Sequence, residues 1–405
     1  MLTVEEALRA VLDRVAPLPS RRVALSEALG CVLAEDVKAD IDLPPFDKSI
    51  VDGYAVRSSD LSGENRRLRI GEEIAAGTVP TRPIHPGEAA VILTGAPMPE
   101  GADAVVMIER TNRVGSLVEI DSCAVTPGQN RLLRGREMRA GDVVLACGDV
   151  LNPLRLGLLA SVGRPIVRVI PRPGVAVVST GDELVEPNQM PGPGQIRNSN
   201  ATMFRALATS SGVAVESQLH VRDDPEALHE VLGRGLAADV LLISGGVSAG
   251  KRDLVPGALE RLGVAKVFHK IRLKPGKPLW FGIGPARRDD GAGTLVFGLP
   301  GNPVSGVVGF LLFARPALRV LAGLPVLDAA TISARLGTSF THAGNRPSYH
   351  PARLSRGSSS IEVIPMAWGG SADLRTVASA DGFAVFPAGD RCYQKGEIVE
   401  FVPLG

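Results

Sequence analysis

Between residues 175 and 320 the chain repeats one event: an apolar strand ends in a loop rich in glycine, proline or charge. The run 175–179 passes into Thr180-Gly181-Asp182-Glu183, and 213–221 into Arg222-Asp223-Asp224. Val240–Ser244 passes into Gly245-Gly246-Val247-Ser248-Ala249-Gly250. Lys274-Pro275-Gly276-Lys277-Pro278 and Leu299-Pro300-Gly301-Asn302-Pro303 follow. Helical text lies between the strands. The helix over 199–211 stops at Gly212, and the next has Asp224 at its cap and Pro225 in its first turn. Strand–helix alternation restricts this segment to a layered α/β domain with right-handed crossovers. Loops that leave the C-terminal ends of such strands gather on one edge, where ligands bind.

The rest of the chain reads differently. Thr3-Val4-Glu5-Glu6 is a capping box ahead of a helical stripe, which argues against a secretory leader. A short helix near Ser26 and a strand complete the opening segment. From Pro44-Pro45 to about Arg134 the text is strand-like and loop-rich, with strands over 89–93 and 104–109. A helix over Pro153–Ser161 follows. Beyond Leu327 short strands return at 361–364, 383–386 and 398–402. The expected fold is multidomain α/β plus β. It has a central three-layer α/β domain with a mostly parallel sheet (170–326) and an inserted β-rich lobe (45–134). A mixed N-terminal segment (1–44 with 135–169) and a small C-terminal β-barrel (327–405) complete it.

Composition narrows the function. Lys+Arg 44 against Asp+Glu 43 leaves net charge +1, so no overall field favours nucleic acid or a membrane surface. Aromatics are 4%, too few for stacking single strands. The apolar stretch 304–327 is interrupted by Arg315, Pro316 and Arg319, which argues against a bilayer span. Cys31, Cys123, Cys147 and Cys392 lack CxxC spacing and are expected to be buried thiols of a cytoplasmic protein.

Candidate chemistry sits in the loops. The Gly245, Gly246 and Ser248 segment can turn backbone amides toward an oxyanion. Asp182, Glu183, Asp223, Asp224 and Asp253 each follow a strand or open a helix, and Asp224 and Asp253 are plausible N-caps. Two carboxylates about 4 Å apart repel by roughly 4 kcal/mol at an effective dielectric of 20, so a converging set calls for a hard cation such as Mg²⁺. Lys270 and Lys274 are four apart and would share a face on a strand, with Lys277 turned back beside them. Such lysines hold phosphate-like anions as point charges. Pro300, Gly301, Asn302, Pro303 and Ser305 form a rigid turn ahead of a helix. Gly246 to Gly250 also fits the G-x-S-x-G nucleophile elbow, with Ser248 as nucleophile. That hydrolase reading needs Asp253 with His269, or Asp290 with His342 or His350. It lacks an HGGG-like oxyanion loop, and Pro256 stops Ser248 from leading straight into a helix.

Asp52-Gly53-Tyr54-Ala55-Val56, the Thr94 to Asp103 run, Ser179 to Leu184, the Ser244 loop with Asp253, Lys274 to Pro278 and Leu299 to Ser305 occur in one order. In that order the chain resembles the molybdopterin molybdenumtransferase (MoeA) family, to which the C-domain of gephyrin belongs. The resemblance covers nearly the whole chain and extends through Asp373-Leu374-Arg375 and Asp381-Gly382. It implies a homodimer whose active site is shared between subunits. The substrates implied are adenylylated molybdopterin and molybdate, with release of AMP and molybdenum left on the dithiolene. It further implies that Glu183, Asp223 and Asp253 orient Mg²⁺ and substrate, with Asp223 or Asp224 as the working carboxylate. Lys270 and Lys274 would take the anion, and Asp52 and Thr94 would position or activate molybdate. Lys48, Ile50, Val51, Lys251-Arg252 and the Arg287 to Gly291 insertion depart from the family's pattern. A non-catalytic scaffold of the gephyrin type is the remaining alternative. It would leave the rim of acids and lysines without a purpose.

Overall fold

The structure is a computed structural model and describes every residue except 63–65, 122–123, 248–253, 289, 326–330, 357–360 and 405. The chain divides into two compact units. One comprises Met1–Val23, Gly30–Ala34 and Arg168–Gly405, the other Ala24–Leu29 and Glu35–Val167.

The first unit is built on a six-stranded sheet. In spatial order its strands are Ala214–Val221, Gly174–Thr180, Val240–Ser244, Gly293–Leu299, Trp280–Ala286 and Ala265–His269. The first four run parallel, and the last two are antiparallel additions at one edge. The central strands are continuous apolar runs because both faces are covered. Val175 and Val177 join the apolar cluster of Phe204, Val307 and Leu311, while Ala176 and Val178 join that of Leu228, Leu232 and Leu259. Alternation along one strand thus serves helices on opposite faces, which makes the three layers. The edge strand keeps Glu216, Gln218 and His220 in solvent.

The stretch read as too interrupted to span a bilayer is one continuous helix, Pro303–Leu321, which starts at Pro303 as the turn ahead of it leads one to expect. It runs through Arg315 and Pro316 without a break and is apolar and long enough to span a bilayer, yet it is mostly buried inside the domain. Pro316 has no N–H to give and needs space behind it, and the preceding turn, Phe310–Ala314, widens to π geometry. The strands Ile332–Leu336, Ile361–Pro365, Ser348–Arg356, Gly382–Phe386 and Ile398–Pro403 close into a barrel with no exposed edge. At the N-terminus the Thr3–Glu6 capping box forms in both directions, and helix Val4–Leu12 buries Val4, Ala7 and Val11.

The second unit carries another six-stranded sheet. Its order is Ala104–Met107, Gly53–Val56, Glu88–Ile92, Arg67–Ile74, Leu117–Ile120 and Thr111–Val114. Its central strand sends Tyr54 and Val56 to one apolar cluster and Ala55 to another. The expected helix near Ser26 is a single 3₁₀ turn, Leu25–Glu27. The expectation of buried cysteines is corrected in part. Cys31 is buried, but Cys147 and Cys392 are exposed, and Cys123 lies outside the described residues.

Candidate functional site

At the C-terminal edge of the parallel strands lies a cavity of about 690 Å³, formed by the loops that end three strands. Thr180, Gly181 and Glu183 come from the first, Ser244, Gly245 and Gly246 from the second, and Pro300 to Pro303 from the third. Asp223 and Pro278 also line it. Each loop starts where an apolar run stops, so sheet register sets its position.

Backbone shape here depends on glycine. Gly245 and Gly246 have φ of 93° and 63°, and a Cβ on either would come within 2.6 Å of Thr180 O or Val255 Cγ2. Only glycine brings the chain this close at these angles. Gly181 leaves room for the Glu183 carboxylate, whose Oε2 lies 2.6 Å from where a Cβ would stand.

The acidic residues take separate places. Glu183 and Asp223 line the cavity together. The Thr180 hydroxyl donates to Asp223 Oδ1 at 2.6 Å, and the Asp223 N–H donates to Asp182 Oδ1 at 3.2 Å. Asp224 is spent on its helix, accepting from Glu226 N and Ala227 N at 3.1 and 2.8 Å. Asp182 lines a second cavity of about 740 Å³ with Glu186, His220 and Arg222. Asp253 lies outside the described residues with Ser248, Lys251 and Arg252. The described N-cap of helix Val255–Arg261 is Leu254, not Asp253. Glu183 and Asp223 offer the hard oxygen donors that suit Mg²⁺. Among the described residues, no group of three or more His, Cys, Asp or Glu is placed to hold a metal ion.

The lysines are a correction. The strand stops at His269, and Lys270 has φ of 72°, so alternation along a strand does not relate it to Lys274. The segment is instead a tight loop, closed by Lys270 N to Leu279 O at 2.9 Å and Ile271 N to Lys277 O at 3.0 Å. The barrel grips its tip. Lys274 N donates to Pro347 O at 3.0 Å, Tyr349 N donates to Lys274 O at 2.8 Å, and Arg346 Nη1 donates to Leu273 O at 2.9 Å. His342 and His350 lie near this lysine. Burial depresses both imidazoles below their ordinary range, and the positive charge of Lys274 adds to the effect. None of Lys270, Lys274 and Lys277 lines the cavity, although Pro278 does.

Asn302 caps the helix at Pro303 by backbone conformation alone. Its side chain instead donates to Ser371 Oγ at 2.9 Å. Ala372 and Leu374 thereby join the cavity wall, and Ser305 is buried in the first helical turn. Sequence reasoning missed Asn198, Asn200 and Ser371. Asn198 and Asn200 appear in the sequence only as polar residues at a helix start.

In the second unit the Phe46-to-Ala55 and Thr94-to-Asp103 loops pair with each other. Ser49 N donates to Ala96 O at 3.0 Å, Gly95 N to Ser49 O at 2.9 Å, and Met98 N to Asp47 O at 2.8 Å. Asp47 is anchored by the Arg131 guanidinium and by Arg134 N at 2.7 Å. At the sheet end, Asp52 Oδ1 accepts from Thr94 N at 2.6 Å and from Thr94 Oγ1 at 2.8 Å. These two bonds, backbone first, hold the Asp52 carboxyl below the usual carboxylate range. The hydrolase constellation finds no support. His269 Nε2 is engaged with Val247 O at 2.8 Å, His350 Nε2 with Met366 O at 2.8 Å, and Asp290 with Arg288.

Comparison with known proteins agrees along the chain. The MoeA N-terminal region (domain I and II) matches residues 2–163, a probable molybdopterin binding domain matches 176–320, and the MoeA C-terminal region (domain IV) matches 333–404. A molybdopterin molybdenumtransferase of Staphylococcus aureus (strain Mu50) is 34% identical over 406 residues, covering 99% of this chain and 95% of that protein. The chain belongs to the MoeA family. The molybdopterin molybdenumtransferase of Staphylococcus epidermidis (strain RP62A) is also 34% identical, with the same coverage. A solved structure, the molybdopterin biosynthesis MoeA protein from Pyrococcus horikosii, superposes with a TM-score of 0.78 at 31% identity. It covers 100% of this chain and 99% of that one. Glu183, Asp223 and the three strand-end loops of the cavity fall inside the matched molybdopterin-binding segment, Ala372 and Leu374 of its wall inside the matched C-terminal region, and Asp52 and Thr94 inside the matched N-terminal region.

Proposed function

We propose that this MoeA-family chain is a molybdopterin molybdenumtransferase of molybdenum cofactor biosynthesis. It transfers molybdenum from molybdate to adenylylated molybdopterin and releases AMP. The observation that carries the reading is the cavity at the strand C-termini, which Glu183 and Asp223 line together with the Gly245–Gly246 turn and the Pro300 turn. An acid pair beside a glycine turn suits a substrate with a pyrophosphate link. Two residues without side chains let its oxygens approach the backbone, and the carboxylates accept a cation. Mg²⁺ held by Glu183 and Asp223, with Asp253 as a further ligand, would polarise the phosphate oxygens and neutralise charge on the leaving AMP. Thr180 fixes the Asp223 carboxylate through its hydroxyl. Lys270, Lys274 and Lys277 supply positive charge for molybdate, a tetrahedral dianion, and the barrel fixes the backbone at Lys274.

The chain acts as a cytoplasmic homodimer in this reading, and Asp52 and Thr94 of one copy complete the cavity of the other. Asp52, ionised and held by Thr94, orients the molybdate side and accepts a proton there. The test is direct: purified protein, adenylylated molybdopterin, molybdate and Mg²⁺, with AMP followed by chromatography. Wild type releases AMP, and Asp223→Ala releases far less at a Mg²⁺ concentration that saturates wild type. A wild type that releases none contradicts the reading.

A further inference from the structure

The three loops of the cavity leave neighbouring strands, and each contains glycine, which permits many conformations. Something must hold them in register. The helix Ser199–Ser210 begins at the cavity wall, which Asn198, Ser199 and Asn200 line. Asn198 caps the helix, accepting from Ala201 N at 3.2 Å, and donates to Ser179 Oγ at 2.7 Å. Asn200 makes no such cap. Its amide nitrogen donates to Ser244 Oγ at 2.9 Å and to Gly301 O at 2.7 Å. One helix start therefore clips the ends of three strands, Gly174–Thr180, Val240–Ser244 and Gly293–Leu299, and with them the three loops of the cavity.

The chemistry of Asn200 fixes its orientation. Gly301 O can only accept, so the nitrogen must face it, and both amide protons are used. The Oδ1 atom is then buried with no partner among the described residues. An unsatisfied buried acceptor opposes folding, and an apolar side chain would fill the space without that cost. A residue kept for packing would not be an asparagine. The two bonds matter because they join loops 44 and 101 residues away in sequence at the wall of the cavity.

We infer that Asn200 is a positioning residue for the adenylylated substrate, clamping the Ser244–Gly246 and Pro300–Gly301 loops at the spacing that substrate requires. The inference rests on the molybdenumtransferase reading. It predicts a selective defect. The clamp serves the cavity of amides and carboxylates, while the lysine loop is held separately by the barrel. Asn200→Asp keeps size and shape but places an oxygen against the Gly301 carbonyl.

The experiment is steady-state AMP release by full-length wild type, Asn200→Asp, Asn200→Ala and Ser244→Ala, varying adenylylated molybdopterin and molybdate separately. Thermal melts are run alongside. Asn200→Asp should raise KM for adenylylated molybdopterin by ~10- to 100-fold, the order of loss that a misplaced contact causes. KM for molybdate should stay within about twofold, with a wild-type melting temperature. Ser244→Ala should give a smaller shift in the same KM and add little on top of Asn200→Asp, because both act on one link. Unchanged kinetics in an active background would overturn the clamp alone. So would equal rises in both KM values with a lowered melting temperature, since that is a structural defect. A wild type without AMP release would overturn the clamp together with the functional reading.

Discussion

In the β lobe Asp52 takes both donors of Thr94 on one oxygen, whereas in the α/β domain Asp223, among the described residues, takes the Thr180 hydroxyl alone and shares its cavity with Glu183. The first carboxylate is satisfied as an anion by its own neighbour. The second has another carboxylate on the same wall, so its charge calls for a cation. In the proposed reaction the two regions divide the chemistry. One would offer a fixed anionic acceptor and the other a place for metal and phosphate.

The sharpest way to break that division is to remove charge without removing hydrogen bonds. Asp52→Asn keeps an Oδ1 that accepts both Thr94 donors, so only the charge goes. AMP release should fall by ~10²- to 10⁴-fold, the range for a positioned acid or base, with the Mg²⁺ dependence unchanged. Asp223→Ala should instead shift the Mg²⁺ dependence, raising the concentration for half-maximal rate by at least ~10- to 100-fold. If both variants respond alike to Mg²⁺, the comparison fails. Thr94→Val removes the hydroxyl bond and keeps the N–H bond, and should cost about tenfold in rate, the lower end of what supporting groups contribute.

The sequence made the α/β half of this comparison readable, because each loop begins where an apolar run ends. Val240–Ser244 and the Asp224 cap stand where the pattern places them. The lysine loop was misread because four-residue spacing looks like strand alternation, while the backbone at Lys270 turns into the left-handed region. Its grip by Pro347 and Tyr349 depends on register across more than seventy residues, which no local pattern reports. The Asn200 clamp was invisible for the same reason: an asparagine at a helix start reads as a cap, and here Asn198 already is one.

Acidity separates the regions further. Asp52 is held below the usual carboxylate range, so it stays ionised through pH 5 and any stability from that shift is lost only at still lower pH. His342 and His350 behave oppositely. Burial first, with Lys274 adding to it, favours their neutral forms in the folded chain, and backbone hydrogen bonds at Arg346 for His342 and Met366 for His350 partly oppose this. Unfolded histidine takes its proton near pH 6.5, so stability present above that pH is lost as the pH falls from ~6.5 toward the lower folded values. The melting temperature should drop between about pH 6.5 and 5, and His342→Gln should flatten the drop. The smallest effect belongs to Asp224→Ala. It should cost ~1 kcal/mol of stability as a lost cap and leave the Mg²⁺ dependence of AMP release alone.

Mixing two inactive variants tests the division of labour most directly. Asp52→Asn and Asp223→Ala chains, dissociated together and reassociated at equal amounts, should regain about a quarter of wild-type AMP release, because half the dimers are mixed and each holds one intact site. Activity that stays at the level of the separate variants, under conditions where mixed dimers are shown to form, would contradict a site that draws Asp52 from one copy and Asp223 from the other.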